Sequence, residues 1–293
     1  MSLLKSLRHS KPFLLNVELC PPRIDLPLEQ SMDAWIDSNR LIRKMTSQER
    51  LVFMTDGAIG KREEPNLRHV TVNLGPGADR SRIVPILTTK HSLEYCLEFA
   101  ERAYALGFTS LVVLGGDKTD DIPRCVSHAY ELRRMIRQRV PGLTLGGWTN
   151  PQDGARQVAY MADGEYCADF YMAQIASHYQ AAALDDFLSA AIARGVHIPG
   201  IFGVFYYRSA NVRTLQMLSR FFPVPVDELK RDFAAGVSPE DICARSIVGL
   251  VERGVKNIYV SNLPMASGVE TLNQIEAKVE EYLVRRGITD AQD

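Results

Sequence analysis

The chain has 293 residues, 46% of them hydrophobic and 24% charged, so it can bury a large core without disulfide or metal staples. Its formal net charge is −1 with acids and bases interspersed; this gives no basic field for nucleic acid, which is not an expected partner, and leaves room only for a local basic pocket. Cys20, Cys96, Cys125, Cys167 and Cys243 are widely spaced and form no C-x-x-C pair, which argues against a disulfide framework or a structural zinc site and points to a reducing cytoplasm. In chain order, MSLLKSLRHSKPFLL is mildly basic and amphipathic, and it lacks the sustained apolar run and small-residue cleavage site of a signal peptide. No later apolar run is long enough to span a bilayer, so a membrane is not an expected partner. Short β-branched and aromatic runs then predict strands at Leu14–Leu19, Leu51–Thr55, Ile83–Thr88, Ser110–Leu114, Leu143–Trp148, Asp169–Ile175, Gly200–Tyr206 and Asn257–Ser261.

Helical periodicity fills the intervals. Leu93–Leu106 carries Leu93, Cys96, Leu97, Ala100 and Tyr104 on one face and stops at Gly107. Further helices are predicted over Arg124–Arg139, Leu184–Arg194 and Thr271–Arg286. Ser238-Pro239-Glu240-Asp241 reads as a helix start, with a Ser cap, Pro in the first turn and acids at the positive end of the dipole. Residues 61–80, rich in Gly, Pro, Asn and charge, predict an extended loop or small hairpin, and 223–236 a short extra helix.

Alternating strands and helices imply a parallel sheet. About eight strands, with no glycine-rich phosphate loop after the first, favour a closed (βα)8 TIM barrel over an open doubly wound sheet. Barrels of this kind commonly run to about 250 residues as one domain, so 1–293 is expected to be a single domain.

Barrel chemistry sits at the C-terminal strand ends. The polar residues expected there are Glu18, Thr55 with Asp56, Asp117, Trp148 with Asn150, Gln174, Tyr206 with Tyr207, and Ser261 with Asn262. Glu18 lies between Val17 and Leu19, just before Pro21-Pro22. Partial desolvation would raise its pKa and suit a general acid; the alternative is an acid paired with a buried Arg or a backbone amide. Asp117, after Gly115-Gly116, reads either as a carboxylate facing a ligand or as a helix cap. Gln174 could read the edge of a heterocycle or be a satisfied core amide. Tyr206 and Tyr207 could stack on a flat ligand or simply pack. No histidine has metal-ligand spacing; His178 is the one near a strand end, and no acid partner supports a hydrolase triad.

These strand ends, in this order, resemble the methylenetetrahydrofolate reductase family from Val17 to about Asn262. The resemblance rests on Val17-Glu18-Leu19-Cys20-Pro21-Pro22, Met54-Thr55-Asp56-Gly57-Ala58, Gly116-Asp117, Gln174 after Phe170-Tyr171-Met172, Pro199-Gly200-Ile201 with Tyr207, and Tyr259-Val260-Ser261-Asn262. It implies a (βα)8 barrel that reduces 5,10-methylenetetrahydrofolate to 5-methyltetrahydrofolate, in one-carbon metabolism and methionine biosynthesis. By the same resemblance Glu18 is the acid that helps open the imidazolidine ring to a 5-iminium cation, which a hydride then reduces. Asp117 and Gln174 would hold the pterin edge, Tyr207 would pack on the folate, and Thr55, Trp148 and Asn150 would face the cofactor.

Three departures bear on that cofactor. Flavin-containing members carry an Arg before the Gly-Asp pair, a His on the third strand and a basic pair ahead of the sixth strand. This chain has Gly115, Ile86 and Ala162-Asp163-Gly164-Glu165. Charge-assisted contacts dominate pyrophosphate binding. NADH or NADPH is therefore the expected hydride source, with FAD or a deazaflavin the alternative. A corrinoid-linked methyltransferase and a non-catalytic folate-binding homologue are the competing readings. The expected partner is the small-molecule folate; a homo-oligomer is compatible with the sequence.

Overall fold

A computed structural model describes residues 3–8, 11–22, 26–55, 70–72, 74, 79–116 and 123–288. Eight parallel strands close into a barrel in chain order: β1 (Leu14–Leu19), β2 (Val52–Met54), β3 (Ile83–Thr88), β4 (Ser110–Leu114), β5 (Thr144–Thr149), β6 (Phe170–Ile175), β7 (Gly200–Phe205) and β8 (Asn257–Ser261). β8 returns to β1 in the register Leu14↔Asn257 to Val17↔Val260, which closes the sheet. The expected (βα)8 TIM barrel is the fold, and each strand lies within two residues of its expected bounds.

Side chains alternate between the two faces of each strand. In β1, Leu15, Val17 and Leu19 pack outward against the helices. Asn16 and Glu18 have the opposite parity and turn inward. The barrel interior is filled by Phe53, Val84, Ile86, Val112, Phe170, Met172, Ile201 and Tyr259. Asn16 is fully buried and satisfied: it donates to Ile258 O at 3.2 Å and accepts from Leu51 N at 2.9 Å.

The N-terminal segment has a structural use that its sequence did not disclose. Helix α1 (Leu3–Leu7) places Leu3 and Leu7 in the interior cluster. The carbonyl of Leu7 accepts from Asn257 Nδ2 at 2.8 Å, so α1 plugs the barrel where its strands begin.

The outer layer comprises α2 (Leu28–Ser47), α3 (Leu93–Ala105), α4 (Ala129–Arg139), α5 (Gly154–Ala162), α6 (Ala181–Ala193), α7 (Val212–Leu218), α8 (Val226–Ala234), α9 (Pro239–Val251) and α10 (Gly268–Arg285). The segments α2, α5 and α7 add to the helices expected from sequence. α4 begins at Ala129, five residues after its expected start, because Glu131 Oε2 accepts from Ser127 N at 3.1 Å and His128 N at 3.4 Å and caps the helix there. Arg124 therefore belongs to the connection, not the helix. Within α4, Arg133 is 1% exposed and stitches the layer: it donates to Val113 O at 2.9 Å and twice to Tyr166 O, at 3.1 and 2.6 Å. Most of the expected 61–80 insertion lies outside the described residues; within it, 70–72 and 74 are helical.

Candidate functional site

A cavity of about 210 Å³ opens at the C-terminal ends of the strands, and all eight contribute to it. β1 supplies Glu18, and Thr55 follows β2. Ile86 and Leu114 form an apolar wall, continued by the bare backbone of Gly115-Gly116. Trp148 closes the β5 side, Gln174 and Ile175 the β6 side, and Phe205 the β7 side. Tyr259 and Ser261 complete the ring from β8.

Glu18 is half-buried and its Oε1 accepts from Ser261 Oγ at 2.6 Å. The hydroxyl is delivered by the closure of β8 on β1, so the pair forms only when the barrel closes. Below them Tyr259 is 1% exposed and donates to Ala173 O at 3.0 Å. Burial, and then the nearby Glu18 charge, raise its phenol well above the usual range, so it stays protonated. A glycine makes this possible: a Cβ on Gly203 would lie 2.4 Å from the Tyr259 hydroxyl oxygen.

β6 carries a bulge. Its register with β7 steps from Ala173↔Phe202 to Ile175↔Gly203, which leaves Gln174 as the extra residue. Bulges re-aim side chains beside sites; here both Gln174 and Ile175 reach the cavity. The Gln174 amide is also engaged locally. Its Oε1 accepts from Ile175 N at 3.1 Å and its Nε2 donates to Phe221 O at 3.4 Å. That second bond ties down a roof made of Leu218, Phe221 and Phe222 from the end of α7 and the following turn. Phe222 packs on Phe205 with ring centroids 5.2 Å apart.

The structure brings Glu18, Thr55, Trp148 and Gln174 to one cavity. Asn150 and Tyr207 do not line it. The Asn150 side-chain carbonyl accepts from Gln152 N at 3.1 Å and caps the turn after β5. Tyr207 is 4% exposed, packs on Phe205 at 4.9 Å, and has a buried hydroxyl with no hydrogen-bond partner among the described residues. Tyr206 faces outward and donates to Glu240. Asp117 and Asp56 lie outside the described residues. His178 is held outside the barrel, Nδ1 2.9 Å from Ser246 Oγ; burial, then Arg245, lowers its pKa to about 4, so it is neutral at pH 7. Among the described residues no group of His, Cys, Asp and Glu could hold a metal ion.

Phe205 and the roof residues were not singled out from sequence, and Tyr259 entered only as part of the Tyr259-Val260-Ser261-Asn262 run. For the roof, a Phe221-Phe222-Pro223 run in an otherwise polar connection is the available signal. Ala162–Glu165 takes a different place from the one its sequence suggested. The stretch precedes β6, and its Ala162, Asp163 and Gly164 line a surface recess with Arg8 and Arg194–Ile198, where strands begin. Their lack of cations therefore says nothing about the opposite, C-terminal mouth.

No protein-family profile and no curated protein matches the sequence. Solved structures do match. An uncharacterized protein from Clostridium thermocellum that binds two copies of 5-methyl-5,6,7,8-tetrahydrofolic acid aligns with a TM-score of 0.66 at 14% identity, over 96% of this chain and 100% of that one. A mandelate oxidase variant with 2-hydroxy-phenylacetamide aligns with a TM-score of 0.53 at 9% identity, over 92% of this chain and 73% of that one. At such identities the likeness is one of fold. No helix among the described residues is long and apolar enough to cross a membrane.

Proposed function

We propose that this barrel binds a reduced folate in the cavity at its C-terminal mouth. The observation that carries the reading is the joint placement of Glu18 and Gln174 in one aromatic-walled cavity. The full-length likeness to a structure that binds 5-methyltetrahydrofolate supports it. A pterin is flat and has a donor–acceptor edge. Trp148, Phe205, Phe221 and Phe222 supply flat apolar surface, and Gln174 and Glu18 supply polar groups at the wall. The test is a titration with 5-methyltetrahydrofolate followed by tryptophan fluorescence. Saturable quenching is expected, and no binding up to about 1 mM ends the reading.

The second reading makes the site a methylenetetrahydrofolate reductase. It is favoured by Glu18, an acid at the wall of a largely apolar cavity. In this reading the chain holds the pterin and presents a proton at the Glu18 carboxyl, and NADH or NADPH arrives as the reductant. A resident flavin fits the described residues poorly: Ile86 lies where a donor is needed, and the Asn150 side-chain carbonyl caps its own turn. Turnover assays divide the readings. NADH- or NADPH-dependent reduction of 5,10-methylenetetrahydrofolate, with and without added FAD, supports the reductase. Methyl transfer to a corrinoid indicates a methyltransferase, and binding without turnover indicates a carrier or accessory protein. Glu18→Gln is expected to lower any reductase turnover by about 100-fold or more. Full activity in that variant removes Glu18 as the acid.

A further inference from the structure

The rim of the cavity carries a feature that pterin binding alone does not use. Gly115 and Gly116 follow β4 without side chains, and two cations occupy the space beside them. A Cβ on Gly115 would lie 3.0 Å from Arg124 Nη1, and one on Gly116 would lie 2.8 Å from Lys90 Cε. Gly116 has φ +72°, which a side chain would strain. The backbone therefore needs glycine there, and the bare ledge leaves room for the two long side chains.

Both are positioned by the strand ends. Thr89 N donates to Leu114 O at 3.1 Å and Thr89 Oγ1 to Gly115 O at 3.1 Å. Cys125 N donates to Thr89 O at 2.8 Å, which brings the connection carrying Arg124 back over β3 and β4. Arg124 Nη2 then donates to Gly116 O at 3.0 Å.

Among the described residues no acid offsets the charge there. On the outer helices arginines pair with acids, as in Arg134–Glu165, Arg139–Glu101, Arg253–Asp185 and Arg286–Glu252. Among the described residues neither Lys90 nor Arg124 has an acidic partner; Asp117, Asp120 and Asp121 lie outside them. Two like charges on one ledge repel, and an anion bound beside them gains from both.

We infer that Lys90 and Arg124, on the Gly115-Gly116 ledge, form a subsite for an oxyanion carried by the ligand of the cavity. The inference deepens the folate reading. Two sources supply such a group: the glutamate carboxylates of a folate, or the phosphates of a nicotinamide dinucleotide.

The test uses the full chain, the variants Lys90→Met and Arg124→Gln, and the double variant, each first checked for native circular dichroism. Binding is measured by calorimetry for 5-methyltetrahydrofolate, for 6-methyltetrahydropterin (which lacks the glutamate), for NADPH and for inorganic pyrophosphate. The double variant is expected to weaken an anionic ligand by about tenfold or more while 6-methyltetrahydropterin is unchanged. Weakening confined to 5-methyltetrahydrofolate assigns the carboxylates, and weakening confined to NADPH assigns the phosphates. Unchanged affinity for all four probes overturns the subsite. If the native protein binds neither pterin, the folate reading fails separately. The subsite then stands on variant-sensitive binding of NADPH or pyrophosphate, and falls without it.

Discussion

The two ends of the barrel give their polar groups different surroundings. At the end where strands begin, the Asn16 side chain meets backbone partners, the Asn257 amide nitrogen reaches Leu7 O, and α1 fills the opening. At the end where strands finish, Glu18 and Ser261 face a cavity, glycines replace side chains, and Lys90 and Arg124 have no acid beside them among the described residues. The first arrangement lowers the free energy of the fold. The second leaves interaction capacity for a ligand. A barrel separates the two because its strands are parallel, so every strand contributes its start to one face and its finish to the other.

The largest effect is expected in the stitched layer. Arg133→Met leaves Val113 O and Tyr166 O without their buried donor and should cost about 3–5 kcal/mol. Urea unfolding measures it, and a loss under about 1 kcal/mol would show that this layer is not what holds the strands. Gly203→Ala comes next. Its methyl collides with the Tyr259 hydroxyl under the site, so about 1–3 kcal/mol should be lost together with folate affinity. Unchanged affinity would separate the barrel interior from the cavity above it.

The roof should behave in the opposite sense. Phe221→Ala with Phe222→Ala should weaken 5-methyltetrahydrofolate about tenfold, while stability falls by only about 1–2 kcal/mol, since both residues are only half-buried. A large stability loss with native affinity would make the roof part of the core. The smallest effect belongs to His178, a residue near the mouth that takes no part in the cavity. Its folded pKa of about 4 lies below the usual 6.5. The unfolded chain thus binds the extra proton first, and stability should decline as pH falls from about 6.5 to 4 and be flat above. His178→Gln should make that decline shallower without changing folate binding at about pH 7.5. An unchanged decline would place the acid sensitivity elsewhere.

The barrel was legible in the sequence because its signal is local. A buried parallel strand must be a short apolar run, and a covering helix must repeat its apolar face every three to four residues. Glu18 was legible for the same reason, as a charge interrupting one such run. Asn150 was harder to place, since an Asn after a strand can serve a ligand or its own turn, and here it caps the turn. Tyr207 shows the limit of strand parity: it turns inward as Phe205 does, yet it packs beneath α7 and α8 and does not line the cavity.

What the sequence alone determined was the eight strands, their order and the acid at the end of the first strand. Only the tertiary structure decided which groups meet that acid. Ser261 is 243 residues from Glu18 along the chain, and they touch only because β8 closes on β1. The bulge that aims Gln174, the roof tied to it and the cations on the Gly115-Gly116 ledge likewise depend on pairing between distant segments. Periodicity reports which face a residue takes on its own element; it carries no record of what the neighbouring element places opposite.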